Sequence, residues 1–288
     1  MPSKRKPARG DRRPGIAAGL VIVVVAAVIG YLALKPSHSV APRPTACSAG
    51  PSGQGLQLTP SQAAIAATIA GVASERNLPP RAVAIAYATA LQESKLQNLH
   101  YGDRDSVGVF QQRPSEGWGT TEQIEDPVYA TDRFFEALAS VPRYLRMPID
   151  VAAQDVQHSA DGSAYGQYAG MARELATAFT GSEPHAVWCT YGSAPGKPRL
   201  PAADRALASA FGPLPRQLSS DPADTVTVRD TPEGWAVTSW LVSNAGTYGI
   251  TFVRYQGYQW FGFRGSGHWT AETAKTRARA APGAVVFG

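Results

Sequence analysis

The chain has 288 residues, 44% hydrophobic and 17% charged, enough apolar side chain for one or two packed domains, which excludes disorder throughout. Its formal net charge of +5 hints at a polyanionic partner, but the excess sits at the very start, where Lys4, Arg5, Lys6, Arg9, Arg12 and Arg13 face Asp11 alone. Removing that tail from the 27 basic and 22 acidic residues leaves the remainder formally neutral, so no nucleic-acid partner is expected.

Residues 1–14 form a basic tail, and residues 15–34 are twenty residues without a charge. As a helix rising about 1.5 Å per residue, that run spans roughly 30 Å of hydrocarbon. It is longer than the apolar part of a secretory signal, and the best small-residue site, Val40-Ala41, is followed by Pro42, which hinders cleavage. A single uncleaved membrane helix is expected, with the basic N-terminus cytoplasmic and the rest outside the cell membrane. Residues 35–58, rich in Pro, Ser, Gly and Gln, read as an extended linker. Cys47 and Cys189 both fall on the outer side, where disulfides persist. If they pair, the closed loop is worth about 4 to 5 kcal/mol by chain entropy; free thiols, or lipidation at Cys47, are the alternatives.

Thr59-Pro60 is an N-cap followed by proline, and Ile65, Ile69 and Val72 follow at helical spacing, so a first helix is expected to about residue 76. Asn77-Leu-Pro-Pro80 breaks it and opens a second helix, apolar almost all round, that ends at Glu93. Such a helix is buried. A carboxyl group at its edge loses water, which favours the protonated form and suits a general acid. From 97 to 121 there is a glycine-rich loop too long for an idle connection. Asp126-Pro127 starts a third helix with Phe134, Phe135, Leu138 and Leu145 as core candidates and Pro142 near its end. Met147-Pro148-Ile149-Asp150 starts a fourth, to about 158. A break at Asp161-Gly162-Ser163 precedes a fifth, which ends near Phe179 with Gly181 as stop.

Residues 182–201 read as a proline-rich boundary, beyond which the pattern turns to mixed α and β. Helices are expected at 202–211 and at 232–245, the latter capped by Thr231, with strands at 225–229, 250–255, 258–263 and 284–287.

Glu93-Ser94 closing an alanine-rich helix, followed by Ser106-Val-Gly-Val-Phe-Gln111, resembles the Glu-Ser and Ser-x-Gly-x-x-Gln signature of the bacterial lytic transglycosylases in the lysozyme superfamily. The block QQRPSEGWG, Gln111 to Gly119, is similar to one in a group of secreted or membrane-anchored actinobacterial proteins. The likeness covers about residues 59–181. It implies a mainly α lysozyme-like domain at 59–181, and the element pattern beyond it reads as a small α+β domain at 202–288. It also implies cleavage of the glycosidic bond between N-acetylmuramic acid and N-acetylglucosamine in peptidoglycan glycan strands, with Glu93 as acid and then base and no metal or organic cofactor. Ser94 would orient the carboxylate or cap locally. Ser106 and Gly108 would shape a close turn under the sugar, with Gln111 and Gln112 hydrogen-bonding to it and Tyr101 and Trp118 stacking on it. Where the family has Ala-Tyr-Asn-x-Gly on a later helix, this chain reads Ala153-Gln-Asp-Val-Gln-His-Ser159, so Gln157 is the expected sugar contact. Tyr165 and Tyr168 either wall the groove or pack in the core.

A hydrolase needs a second carboxylate about 5 to 9.5 Å from the first, and Asp103 and Asp105 are the nearby candidates. Both sit in a turn-forming run. Without such a partner the sugar's own C6 hydroxyl attacks and leaves a 1,6-anhydro product. A muramidase using Asp103 or Asp105, or a non-catalytic wall-binding scaffold, are the competing readings. The C-terminal region resembles a small accessory domain of some actinobacterial cell-wall proteins. Its Trp235, Trp240, Trp260 and Trp269 form either a glycan-binding surface or a core. His268 alone makes no metal site.

Overall fold

Three of the expected helices begin at the cap-plus-proline signals that mark them. In the computed structural model, which describes residues 44–50, 55–158, 162–193, 196–217, 223–273, 281 and 283–288, α1 runs Pro60–Glu75. Thr59 and Gln62 close a reciprocal capping box at its start, the Thr59 amide donating to Gln62 Oε1 at 2.9 Å. Helix α2 runs Pro80–Ser94 and α4 runs Pro127–Ser140, the latter capped by Asp126. Between them lies a short α3, Thr121–Ile124, opened by a Thr120–Gln123 capping box and absent from the expected elements. Helix α5 spans Ile149–Gln157. The fifth expected helix begins as a 3₁₀ stretch, Gly162–Tyr168, and continues as α6, Ala169–Phe179, ending where expected. The basic tail, the expected span at 15–34 and residues 35–43 lie outside the described residues, as does Asp161. No described helix is long and apolar enough to cross a membrane.

Part of the stretch expected as linker is folded. Strands β1, Ala46–Ala49, and β2, Leu56–Leu58, pair antiparallel, and β3, Val187–Thr190, pairs with the other edge of β1. Cys47 lies directly opposite Cys189, and the two form a disulfide. These strands are only three or four residues long and carry Ala, Ser and Gln. They are too short for a sustained alternation, and the Cys47–Cys189 link joins two directly paired residues of β1 and β3.

The boundary expected at 182–201 therefore holds a buried strand, and the regions on either side of it share one core. Helix α7, Leu200–Phe211, packs on α1. Helix α8, Thr231–Ser243, is buried at every residue from Glu233 onward and packs on α1 as well. Helices apolar all round belong in an interior, not on a surface. The α8 cap is Asp230, which accepts from the Glu233 amide at 2.9 Å, so Thr231 is the first helical residue and not the cap. A short α9, Ala245–Tyr248, follows. The second sheet is antiparallel, ordered β4–β5–β9–β6–β7–β8, from strands Arg216–Gln217, Asp224–Thr227, Phe252–Tyr255, Tyr258–Phe261, Thr270–Ala271 and Ala284–Phe287.

The tryptophans close the seam. Trp260 Nε1 donates to the Cys189 carbonyl at 3.1 Å and Trp269 Nε1 to that of Val187 at 2.7 Å. Trp235, Trp240 and Trp260 are buried and Trp269 is half-buried, so they form core and not an exposed glycan-binding face. At Gly181, φ is +71° and an added Cβ would lie 2.0 Å from the Pro232 carbonyl; glycine is required where α6 ends against α8. One core expectation fails. Leu145 is 47% exposed, because α4 stops at Ser140 and the chain reverses through Pro142 and a left-handed Arg143.

Candidate active site

Helix α2 delivers Glu93 half-buried at its last turn. The backbone then reverses sharply. Lys95 and Leu96 both adopt left-handed backbone, φ +57° and +58°, a conformation that costs a non-glycine residue free energy. Leu96 is fully buried, which holds the reversal in place. Ser94 Oγ is buried, and its one proton lies between the Val109 carbonyl at 2.7 Å and the Ala90 carbonyl at 3.0 Å. It is thus a strut between α2 and the loop, with no hydroxyl left to offer a sugar.

That strut ties the end of α2 to the loop at Val109. The Phe110 carbonyl accepts from Gln157 Nε2 at 2.8 Å, so the C-terminal end of α5 is tied to the same point. The loop itself closes as a miniature hairpin: the Gly108 amide donates to Leu99 at 2.6 Å and the Val107 amide to Gln112 at 3.0 Å. Gly108 has φ +81°, and a Cβ there would lie 2.6 Å from the Ile124 carbonyl. Gln111, itself left-handed, donates from Nε2 to the Tyr101 and Gly108 carbonyls, each at 3.3 Å. Gln112 is 2% exposed and donates to the Ala130 carbonyl. Ser106 is buried too.

The expected contacts therefore divide. Ser94, Ser106, Gln112 and Tyr165 are buried; of these Gln112, expected to hydrogen-bond to the sugar, borders the groove while its Nε2 is given to the Ala130 carbonyl. Gln111, Trp118 and Gln157 are half-buried and, with Val141 and His158, line a groove of about 640 Å³. Tyr101 is 73% exposed on the loop. Tyr165, only 1% exposed, does more than pack: its hydroxyl donates to Glu93 Oε1 at 2.6 Å. The sequence carries a signal for it. Tyr165 and Tyr168 stand three apart after the break at Asp161-Gly162-Ser163, the spacing that already marked them as groove-wall or core candidates.

The two loop aspartates differ. Asp103 has a side chain 95% exposed, with Arg104 at 4.0 Å. Asp105 accepts from the Ser115 amide at 2.8 Å, from Arg113 Nε at 2.8 Å and from Ser115 Oγ at 3.0 Å. Those hydrogen bonds, the backbone amide first, hold its carboxyl far below the usual carboxylate range. Asp105 therefore stays ionised to unusually low pH and staples the loop. Its stabilising effect is fully present above the unfolded value, about pH 4, and is lost as pH falls through the depressed folded value. Asp105→Asn should accordingly lower the melting temperature at neutral pH, and the gap from the native chain should close in acid. A gap that stays constant down to strong acid would contradict this.

Among the described residues no group of three His, Cys, Asp or Glu side chains is placed to hold a metal ion. No protein-family model matches the chain, and no curated protein matches it.

Proposed function

We infer that the chain is a lysozyme-like peptidoglycan lytic transglycosylase that cleaves the bond between N-acetylmuramic acid and N-acetylglucosamine without water. The observation that carries this reading is the half-buried Glu93 carboxylate, held by the Tyr165 hydroxyl at 2.6 Å on a helix end that Ser94 ties to Val109 of the glycine-rich loop. Glu93 gives its proton to the glycosidic oxygen as the C1–O bond breaks, and the N-acetylglucosamine portion leaves as an alcohol. The muramic acid C6 hydroxyl then forms the new bond to C1, and its proton returns to Glu93. Acid and base are one residue, so no second carboxylate takes part. Asp105, bound on both oxygens, and Asp103, out in solvent, support the lyase over the hydrolase.

Residues 15–34 anchor this enzyme in the cell membrane with its N-terminus cytoplasmic, and the Cys47–Cys189 disulfide supports an oxidising outer location for the folded part. Purified peptidoglycan incubated with the full chain should yield muropeptides one water lighter than reducing-end products by mass spectrometry. Reducing ends that disappear with Asp103→Asn or Asp105→Asn would replace the lyase with a hydrolase, and absence of any cleavage would end the enzymatic reading.

A further inference from the structure

We propose that the turn at 141–148 and the start of α5 form a docking surface for anionic lipid, on which the folded part lies against the membrane that residues 15–34 span. The proposal rests on that anchor and not on the cleavage reaction. Leu145, a core candidate by sequence, is 47% exposed, and Val151, six residues on in α5, is 40% exposed. Neither sits on a loose segment. Buried Val141 and Ile149 pin the turn at both ends, and the Arg81 guanidinium, from the start of α2, donates to the Met147 carbonyl. Tyr144 and Met147 pack half-buried on the core beneath. Arg143 takes left-handed backbone, φ +62°, a conformation that costs a non-glycine residue free energy and is kept here by the packing around it. The turn is thus rigid, and it keeps Pro142, Arg143, Leu145, Arg146 and Pro148 exposed.

Charge selects the occupant. Arg143 and Arg146 have no ion pair among the described residues, and Asp150, half-buried, is the one acid between 141 and 151. Exposed apolar side chains flanked by free arginines match a surface whose outer layer is anionic and whose inner layer is hydrocarbon. The other exposed apolar side chains lack that company. Tyr101 precedes Asp103 and Asp105, Met171 precedes Glu174, and the strand of Tyr258 carries no charge. Each arginine at an anionic surface contributes only about fivefold to docking, but the anchor removes that weakness. Pro44, whose carbonyl accepts from Thr190 Oγ1 at 2.8 Å, is ten residues beyond Leu34, the end of the apolar run. Ten residues reach about 33 to 36 Å at full extension. A surface held this close is at high effective concentration, so a weak contact suffices to seat the fold. Val141 and Pro142 also line the groove, and docking therefore fixes that rim of it at the membrane surface.

The test uses the full chain reconstituted in vesicles with brominated acyl chains, made of phosphatidylcholine alone or with phosphatidylglycerol. Cys47 and Cys189 are paired, so Leu145→Cys supplies a single free thiol for a small fluorophore, with Ser266→Cys, in an exposed turn of the C-terminal region, as control. The fluorophore at position 145 should be quenched in the anionic vesicles several-fold more than the one at 266. Arg143→Glu with Arg146→Glu, high salt, or omission of the anionic lipid should each lower the ratio of docked to undocked chain roughly tenfold. Equal quenching at the two positions, or quenching indifferent to the arginines, would overturn the proposal. Self-quenching between labelled copies in its place would give the patch to a second copy and overturn it as well. If the chain fails to float with neutral vesicles, the anchor reading fails. Flotation with anionic vesicles that the double variant abolishes would then still uphold the surface, and no flotation with them would overturn it.

Discussion

Glu93→Gln is expected to lower the rate of glycan-strand cleavage by roughly 10²- to 10⁴-fold, the range that positioned acid–base transfer supplies. Gln keeps the shape, and its amide oxygen can accept the Tyr165 hydroxyl as Glu93 Oε1 does at 2.6 Å. What it cannot do is give up a proton to the leaving oxygen or take one from the C6 hydroxyl. Binding to insoluble peptidoglycan and the melting temperature should both stay near the native values, since the groove-lining Gln111, Trp118 and Gln157 are untouched. The measurement is product formation by mass spectrometry beside a sedimentation assay. Cleavage retained within a few-fold of native would remove Glu93 from the mechanism, and loss of wall binding together with cleavage would mean that the substitution had disturbed the fold.

The helical half of the molecule is readable from sequence because its signals are local. Thr59-Pro60, Pro79-Pro80 and Asp126-Pro127 fix helix starts through capping and restricted backbone, and those start positions hold. Glu93 is readable for the same reason, as the polar end of an apolar helix. The features that turn it into a site are not local. Tyr165 lies 72 residues away, in the 3₁₀ stretch that opens the fifth expected helix, and meets Glu93 only through the fold. Arg113 and Ser115 lock Asp105 across a loop whose hairpin rests on two isolated bridges, too brief for any periodicity. The Lys95–Leu96 reversal runs against residue preference, and burial of Leu96 sustains it. Strands β1 and β3 leave no local signal because each pairs with a segment about 140 residues away in the chain.

The same long-range packing predicts that residues 202–288 cannot be removed. A chain ended at residue 199 should lack a cooperative melting transition and be cut rapidly by protease, although the whole segment with helix-starting and catalytic signals is intact. Without α8, α1 loses the helix it packs against, and β3 loses the indoles bound to Val187 and Cys189. Arg229, which donates to the Asn77 side chain at 2.9 Å and to the Ser74 carbonyl at 3.0 Å, goes with them. Burial of large apolar side chains such as Trp235, Trp240 and Leu241 is worth about 1.5 to 3 kcal/mol each, and a whole domain is stable by only about 5 to 15 kcal/mol. Loss of this face therefore exceeds what the remaining helices can hold. The disulfide would survive in the oxidised fragment, but it limits the unfolded chain and does not replace a missing half of a core. A truncated chain that melted cooperatively and still cleaved peptidoglycan would show that 59–199 folds alone and that the C-terminal region is an accessory after all.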